Sequence, residues 1–253
     1  MTGTIINTFA VLIGGALGLL FGARLSERLK GAIVISLGLF TAAFGMKMFF
    51  KSENELIVLG ALLIGVLLGE WWQIEDGLQR LGQSLEARFA PSPESASGSQ
   101  ASSSGNFLRG FLTASLIFCI GPLAILGSIQ DGLNGNYTML AVKSILDGFA
   151  AMAFASTFGL GVLFSALVVL LFQGGISLVT LQLASLFALQ VSPELVTESL
   201  TPYVNELTAT GGVLLVGLAV SNLLEIKKIR TGNFLPALVI APLIVWILSL
   251  LGQ

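Results

Sequence analysis

Lys143 and Asp147 stand four residues apart in an apolar stretch, so on a helix they share one face and can pair. With a helix start near Thr138, Asp147 falls about 13 Å along the axis. That depth is close to the middle of a bilayer's hydrocarbon core, where an ionised group is costly unless paired or wet. Two roles fit: a solute or ion path that uses the charges, or a structural ion pair that locks this helix to its neighbours. Asp131, beside Gln130, reads as an outer gate or as the turn-forming Asp of Asp131-Gly132. Gln173-Gly174-Gly175 interrupts an apolar stretch. A discontinuous helix there would turn backbone dipoles toward a substrate; a plain interhelical turn would not. Ser144 and Asn7 are polar groups on apolar helices, able to line such a route or to hydrogen-bond between helices. Pro122 after Gly121 must free a backbone carbonyl, as a kink satisfied by a neighbour or as an ion ligand.

Residue types narrow the chemistry further. The 253-residue chain has no histidine, which removes Ser-His hydrolase arrangements and imidazole zinc sites. A bound metal would have to use oxygen ligands with at most one sulfur, from Cys119, and such a set favours hard ions. No particular metal is implied. The single cysteine cannot form an intrachain disulfide and reads as a small packing residue. Asp131 and Asp147 could be posed as an aspartyl pair sharing a proton. The GxGD pattern of intramembrane aspartyl proteases is missing, however, as are nucleotide loops and nucleophile motifs. The expectation is no enzyme and no cofactor. A net charge of −2 without a basic stripe predicts no nucleic-acid partner.

Helices must hold these residues at depth. The chain is 55% hydrophobic and 10% charged, with a mean hydropathy of +0.92. Soluble domains carry roughly a quarter charged residues. Runs such as 5–21 and 207–224 are long enough to cross a bilayer as helices. The expected fold is all-α: a polytopic transmembrane bundle of about eight spans, within roughly seven to nine, with broken or re-entrant helices. Helices are expected over 4–22, 31–50, 56–73, 107–129 and 138–157; Gly159 and Gly161 then break the apolar stretch, and a further helix runs to about 172. A half-length element over 176–190, an acidic loop over 191–206 and helices over 207–225 and 233–251 follow. Ile74, Leu78, Leu81, Leu85 and Phe89 recur at helical spacing among charged residues. That pattern gives an amphipathic helix at the membrane surface or a soluble extension of the third helix. Residues 90–105, APSPESASGSQASSSG, read as a flexible linker dividing 1–89 from 106–253.

Gly14, Gly18 and Gly22 recur one turn apart, as do Gly65 and Gly69. Such spacing lets helix backbones approach closely, within the bundle or at a homodimer seam. LIGGALG at 12–18 and LIGVLLG at 63–69 suggest a faint internal repeat, a plan common in transporters. Nine of the twelve basic residues fall on one side if the N-terminus is outside, which predicts that orientation in a bacterial plasma membrane. The predicted partners are the lipid bilayer and a small solute or ion.

The run FCIGPLAILGSIQDG from Phe118 to Gly132 is distinctive, as are Lys143-Ser144-Ile145-Leu146-Asp147-Gly148 and Gln173-Gly174. With the Gly-Thr-Ile-Ile-Asn start at 3–7 and Gly-Asn-Phe-Leu-Pro-Ala at 232–237, they resemble the bacterial YdfK/YqgA-like membrane proteins of unknown function, domain of unknown function 554. The resemblance covers nearly the whole chain apart from the serine-rich stretch. It implies a bacterial inner-membrane protein, loosely labelled a transporter, with no established substrate and no catalytic residues. The leading expectation is a transporter or channel for a small solute or ion. A structural or assembly subunit is the alternative, and a membrane-embedded enzyme comes last.

Overall fold

Within a bilayer every backbone N–H and C=O must find a partner inside the protein, so long apolar runs close into helices. The computed structural model describes residues 1–89, 101–187 and 193–251, and among these it has ten α-helices. They are α1 (Thr2–Gly22), α2 (Glu27–Phe49), α3 (Glu55–Trp72), α4 (Ile74–Phe89) and α5 (Ala101–Cys119). The rest are α6 (Pro122–Asn134), α7 (Thr138–Phe158), α8 (Gly161–Phe187), α9 (Pro193–Leu218) and α10 (Ala237–Leu250). A π-helical turn, Ala219–Leu223, ends α9, and a 3-10 turn, Thr231–Phe234, precedes α10. Seven of these elements are long and apolar enough to cross a membrane. The pair α5–α6, bent by 62° at its junction, makes an eighth. Ile5, Phe9 and Ile13 on α1, and Val142, Ile145 and Phe149 on α7, are exposed apolar side chains suited to lipid. The chain is a polytopic helical membrane protein.

Close approaches fix the helix directions. Gly14, Gly18 and Gly22 of α1 meet Gly148, Met152 and Ser156 of α7 in order, so these two helices run parallel. α8 returns antiparallel to α1, with Gly15 against Leu163 and Gly174 against Met1 and Thr4. α2 and α9 are antiparallel, Gly38 against Leu224 and Gly45 against Gly212. So are α3 and α10, with Gly65 against Ala237 and Gly69 against Asn233. Met1, the α2–α3 and α6–α7 turns and the end of α10 therefore share one face, here the N-terminal face. The opposite, basic face carries Arg24, Arg28, Lys30, Arg80, Arg88, Arg109, Lys227, Lys228 and Arg230, nine of the 12 lysines and arginines. Helices from both sides of the serine-rich stretch interleave in this bundle.

Several boundaries differ from the sequence expectation. α8 is unbroken, so Gln173-Gly174-Gly175 does not interrupt it and 176–187 is no half-length element; 188–190 lie outside the described residues. Gln173 bonds sideways to Asn7 and Gly174 packs against Met1 and Thr4, so the neighbours use these residues without opening the helix. The acidic stretch is helical from Pro193, because a proline suits the first helical position, where its N–H would be unpaired anyway. The break falls instead at Gly121, whose φ of 156° suits glycine, followed by Pro122 at the start of α6. Pro122 lacks the N–H that would continue α5. Within the expected linker, 90–100 lie outside the described residues and 101–105 belong to α5. The apolar face of α4 is covered in part by α5, with Leu78 packed on the cluster of Phe107, Phe111 and Leu112.

All five motif glycines, Gly14, Gly18, Gly22, Gly65 and Gly69, are buried inside the bundle. A Cβ at Gly14, Gly18 or Gly22 would overlap the carbonyl group of Gly148, Met152 or Ser156. Backbone cannot give way as a side chain can. Gly18→Leu should therefore lower unfolding free energy by about 3 kcal/mol, the upper end of the usual overpacking cost. Gly31→Ala, inside α2 with open space around it, should instead raise stability by about 0.5–1 kcal/mol. Thermal unfolding in detergent compares the two.

Candidate functional site

The buried faces of α1, α7 and α8 differ from one end to the other. α1 buries Thr4 and Asn7, then Val11, Gly14, Gly15 and Gly18. α7 buries Leu140, Lys143, Ser144 and Asp147, then Ala151, Phe154, Ala155, Ser156 and Phe158. α8, running the other way, buries Val162, Ser165, Ala166 and Val169, then Gln173 and Ser177. The buried charged and amide side chains of these helices all lie toward the N-terminal face; beyond them the buried polar groups are Ser156 and Ser165, whose hydroxyls donate to carbonyls of their own helices. Asp147 is about 14 Å along the axis from Thr138 and about 16 Å from Phe158.

Where the charged and amide groups meet, side chains join the three helices. Asn7 Nδ2 donates to Asp147 Oδ2 at 2.9 Å and to Gln173 Oε1 at 3.1 Å. Lys143 pairs with the same carboxylate oxygen, Oδ2. Asn7 and Gln173 are fully buried, and Lys143 and Asp147 are 5% and 7% exposed. The site is thus neutral as a whole, which a low-dielectric interior requires. Two atoms in it have no partner among the described residues: the acceptor Asn7 Oδ1 and the donor Gln173 Nε2. Reversing either amide would set like against like, oxygen to carboxylate or nitrogen to nitrogen, so the carboxylate dictates both orientations. Ser144 is buried alongside, its hydroxyl donating to Leu140 O at 2.6 Å, which spends its proton within α7.

Asp131 lies nearer the N-terminal face, inside α6 and not in a turn. Its Oδ2 accepts from the N–H groups of Gly3 at 3.0 Å and Thr4 at 3.4 Å, and its Oδ1 is 3.1 Å from the Met1 α-amino group. A carboxylate there satisfies free N–H groups and faces the positive end of the α1 dipole. Gln130 beside it is 3% exposed. Asp131 and Asp147 thus bind α1 about one turn apart without sharing a hydrogen bond. Between them Thr4 Oγ1 meets Ser177 Oγ at 3.4 Å, and Ser177 Oγ donates to Ser128 O at 2.9 Å. Sequence reasoning missed Thr4, Ser128 and Ser177. The available signal was spacing: Thr4 precedes Asn7 by three residues and Ser177 follows Gln173 by four, each on one helix face.

Toward the basic face the interior is aromatic and apolar. Phe118 meets Phe154 edge-on at 6.5 Å, and Phe154 stacks on Phe158 at 6.2 Å. The Arg109 guanidinium sits 5.0 Å over the Phe158 ring and donates to Asn222 O and Glu225 at the end of α9. Cys119 packs on the apolar cluster that includes Ala151 and Phe154, so the α5–α6 break lies beside α7. A third buried acid, Glu206, accepts from Ser52 Oγ at 2.8 Å and from the N–H groups of Glu53 at 2.7 Å and Asn54 at 3.1 Å. It thereby holds the start of α3. Among the described residues no group of three or more His, Cys, Asp or Glu could hold a metal ion.

A family model described as "Protein of unknown function (DUF554)" matches residues 2–246. The chain is similar to the "Uncharacterized membrane protein YdfK" of Bacillus subtilis (strain 168), 31% identical over 100% of this chain and 99% of the relative. It is also similar to the "Uncharacterized protein YqgA" of Escherichia coli (strain K12), 30% identical over 94% of each. No solved structure matches.

Removing one member of the pair strands the other in a dry interior. Lys143→Met should cost about 3–5 kcal/mol of stability. Adding Asp147→Leu removes the stranded charge and should recover most of that loss, as melting temperatures of the two variants would report.

Proposed function

We propose, for a chain that belongs to the DUF554 family of proteins of unknown function, that this membrane protein is a transporter or channel for a small solute or ion. Its intramembrane site is the Lys143–Asp147 pair with Asn7 and Gln173. One observation carries the reading: the polar part of the bundle ends, midway along α7, on an ion pair with an unfilled acceptor and an unfilled donor beside it. A purely structural pair gains nothing from leaving Asn7 Oδ1 and Gln173 Nε2 unsatisfied, since each such atom costs stability. A ligand or ordered water would fill them. Thr4, Ser128 and Ser177, with Gln130 and Asp131, line the approach from the N-terminal face. Ser144 forms part of the wall, and Phe118, Phe154 and Phe158 close the other side.

Opening toward the basic face needs a joint and a clasp that releases. Gly121 gives α5–α6 the joint. Arg109 on α5, bonded to Asn222 in the π turn after α9 and to Glu225 just beyond it, is the clasp. Rocking one arm about a broken helix is a common way to alternate access around a fixed site. The positive-inside rule puts the nine basic residues in the cytoplasm and the N-terminus outside, in a bacterial plasma membrane. This reading involves no covalent chemistry, no cofactor and no nucleic acid, and it needs no second copy of the chain.

The structural alternative draws on Asp131 and Glu206, buried acids that hold helix starts. A ligand screen separates the two. A molecule that binds only the folded state raises the melting temperature with concentration. For wild type against metal ions, amino acids and small organic acids, at least one such rise is expected, and Asp147→Asn should abolish it. Unchanged melting of both proteins with every ligand would favour the structural role.

A further inference from the structure

The two charges of the central pair are held unequally. The Asp147 carboxylate accepts from both Lys143 and Asn7. The Lys143 ammonium has three N–H groups, and among the described residues Asp147 is its one hydrogen-bond partner. If the lysine turns away the carboxylate keeps its bond from Asn7, whereas the ammonium has no second acceptor among the described residues. Both donors fall on Oδ2, which leaves the other carboxylate oxygen, Oδ1, without either. Asn7 Oδ1 is a further oxygen without a donor. Two oxygens of the kind a small cation needs therefore belong to one bonded cluster. The site holds a single carboxylate, so a divalent ion would leave net charge in a dry interior.

We infer that the site takes a small monovalent cation in exchange for a proton of Lys143, an inference that rests on the transport reading above. In the resting site the ammonium neutralises Asp147. When a cation settles on the carboxylate, one N–H bond of the ammonium breaks, the amine keeps the electron pair, and the proton leaves to water. The cation takes the ammonium's place opposite Asp147, and the charge enclosed by the site does not change. Each turnover moves one cation against one proton.

Few other charges face the pair. α1 and α8, packed on either side of it, contain no charged residue. α5 carries Arg109, bound to Glu225, ten residues before the Cys119 end of the helix. α6 brings Asp131, occupied by the start of α1. Glu27, Arg28, Lys30 and Lys47 of α2 sit in its first and last turns, toward the two faces. Lys143 is thus the group whose proton a bound cation would displace.

The test uses the full chain, with sodium, lithium, potassium and methylammonium chloride as separate probes. Calorimetric titration in detergent should find at least one that binds. Because binding releases one proton, its apparent affinity should weaken about ten-fold for each pH unit of acidification. Lys143→Met should still bind the cation, which supplies the counter-charge that Asp147 has lost. Lys143→Arg keeps a charge that cannot be lost, so it should fold and bind no cation at any pH. Asp147→Asn should bind none. In lipid vesicles a gradient of the bound cation should drive protons the opposite way past an entrapped pH dye. Cation binding that ignores pH in wild type, or that survives in Lys143→Arg, would overturn the exchange. An Asp147-dependent response to anionic or neutral solutes alone would overturn it too, while leaving the transport reading intact. No response to any ligand class would remove both.

Discussion

Asn7 gives both protons of its side-chain amide away, one to a carboxylate on α7 and one to an amide on α8. That double donation ties three helices together at one depth, and much of the bundle follows from it. The asparagine reaches Asp147 because α1 and α7 run parallel and nearly touch, and they touch because Gly14, Gly18 and Gly22 put no side chain in the way of the α7 carbonyls. In lipid this closeness replaces the hydrophobic drive that would pack helices in water. Asn7 must also be fully buried, since at that depth only protein atoms or enclosed water could satisfy it. The glycine stripe and the polar cluster are therefore one device: the first supplies the proximity, the second uses it.

Three buried carboxylates show how differently the same group can be held. Asp131 and Glu206 both accept backbone N–H groups at helix starts, where the chain offers free donors and a positive dipole end. They bind distant parts of the sequence together, α6 to α1 and α9 to the α2–α3 turn. Asp147 has no backbone donor and is held by side chains alone, one of them a lysine of its own helix. Side chains can change partners without unravelling a helix, and that contrast singles out Asp147 among the three.

How far the sequence disclosed this follows from what helical spacing can and cannot carry. Lys143 and Asp147 were legible because a four-residue offset puts them on one face whatever surrounds them. The motif glycines were legible for the same reason. Asn7 and Gln173 stood out as polar groups in apolar runs, yet their meeting depends on which helices are neighbours, and periodicity does not encode that. Gln173-Gly174-Gly175 read as a break because glycine weakens isolated helices; close packing against Met1 and Thr4 overrides that tendency. α9 and α10 run on through Pro202 and Pro242, so a proline alone does not mark a break; at Gly121-Pro122 the glycine's φ of 156° turns the chain and the proline opens the next helix. The acids of 191–206 read as a loop, whereas α9 begins at Pro193 and Glu206 turns inward to an anchor more than 150 residues away in sequence.

The proposed polar route enters from the N-terminal face and, in this closed form, ends on the Lys143–Asp147 pair. The most direct measurement is a cysteine scan of the buried face of α8, with Cys119→Ser removing the native thiol. Single cysteines at Val162, Ala166, Val169, Gln173 and Ser177 would be exposed in vesicles to a membrane-impermeant thiol reagent from either side. A step is expected: labelling at Ser177 and Gln173 from the N-terminal face, and none at Val169, Ala166 or Val162 from that face. Uniform protection along the helix would contradict it and leave the ion pair with a structural role alone.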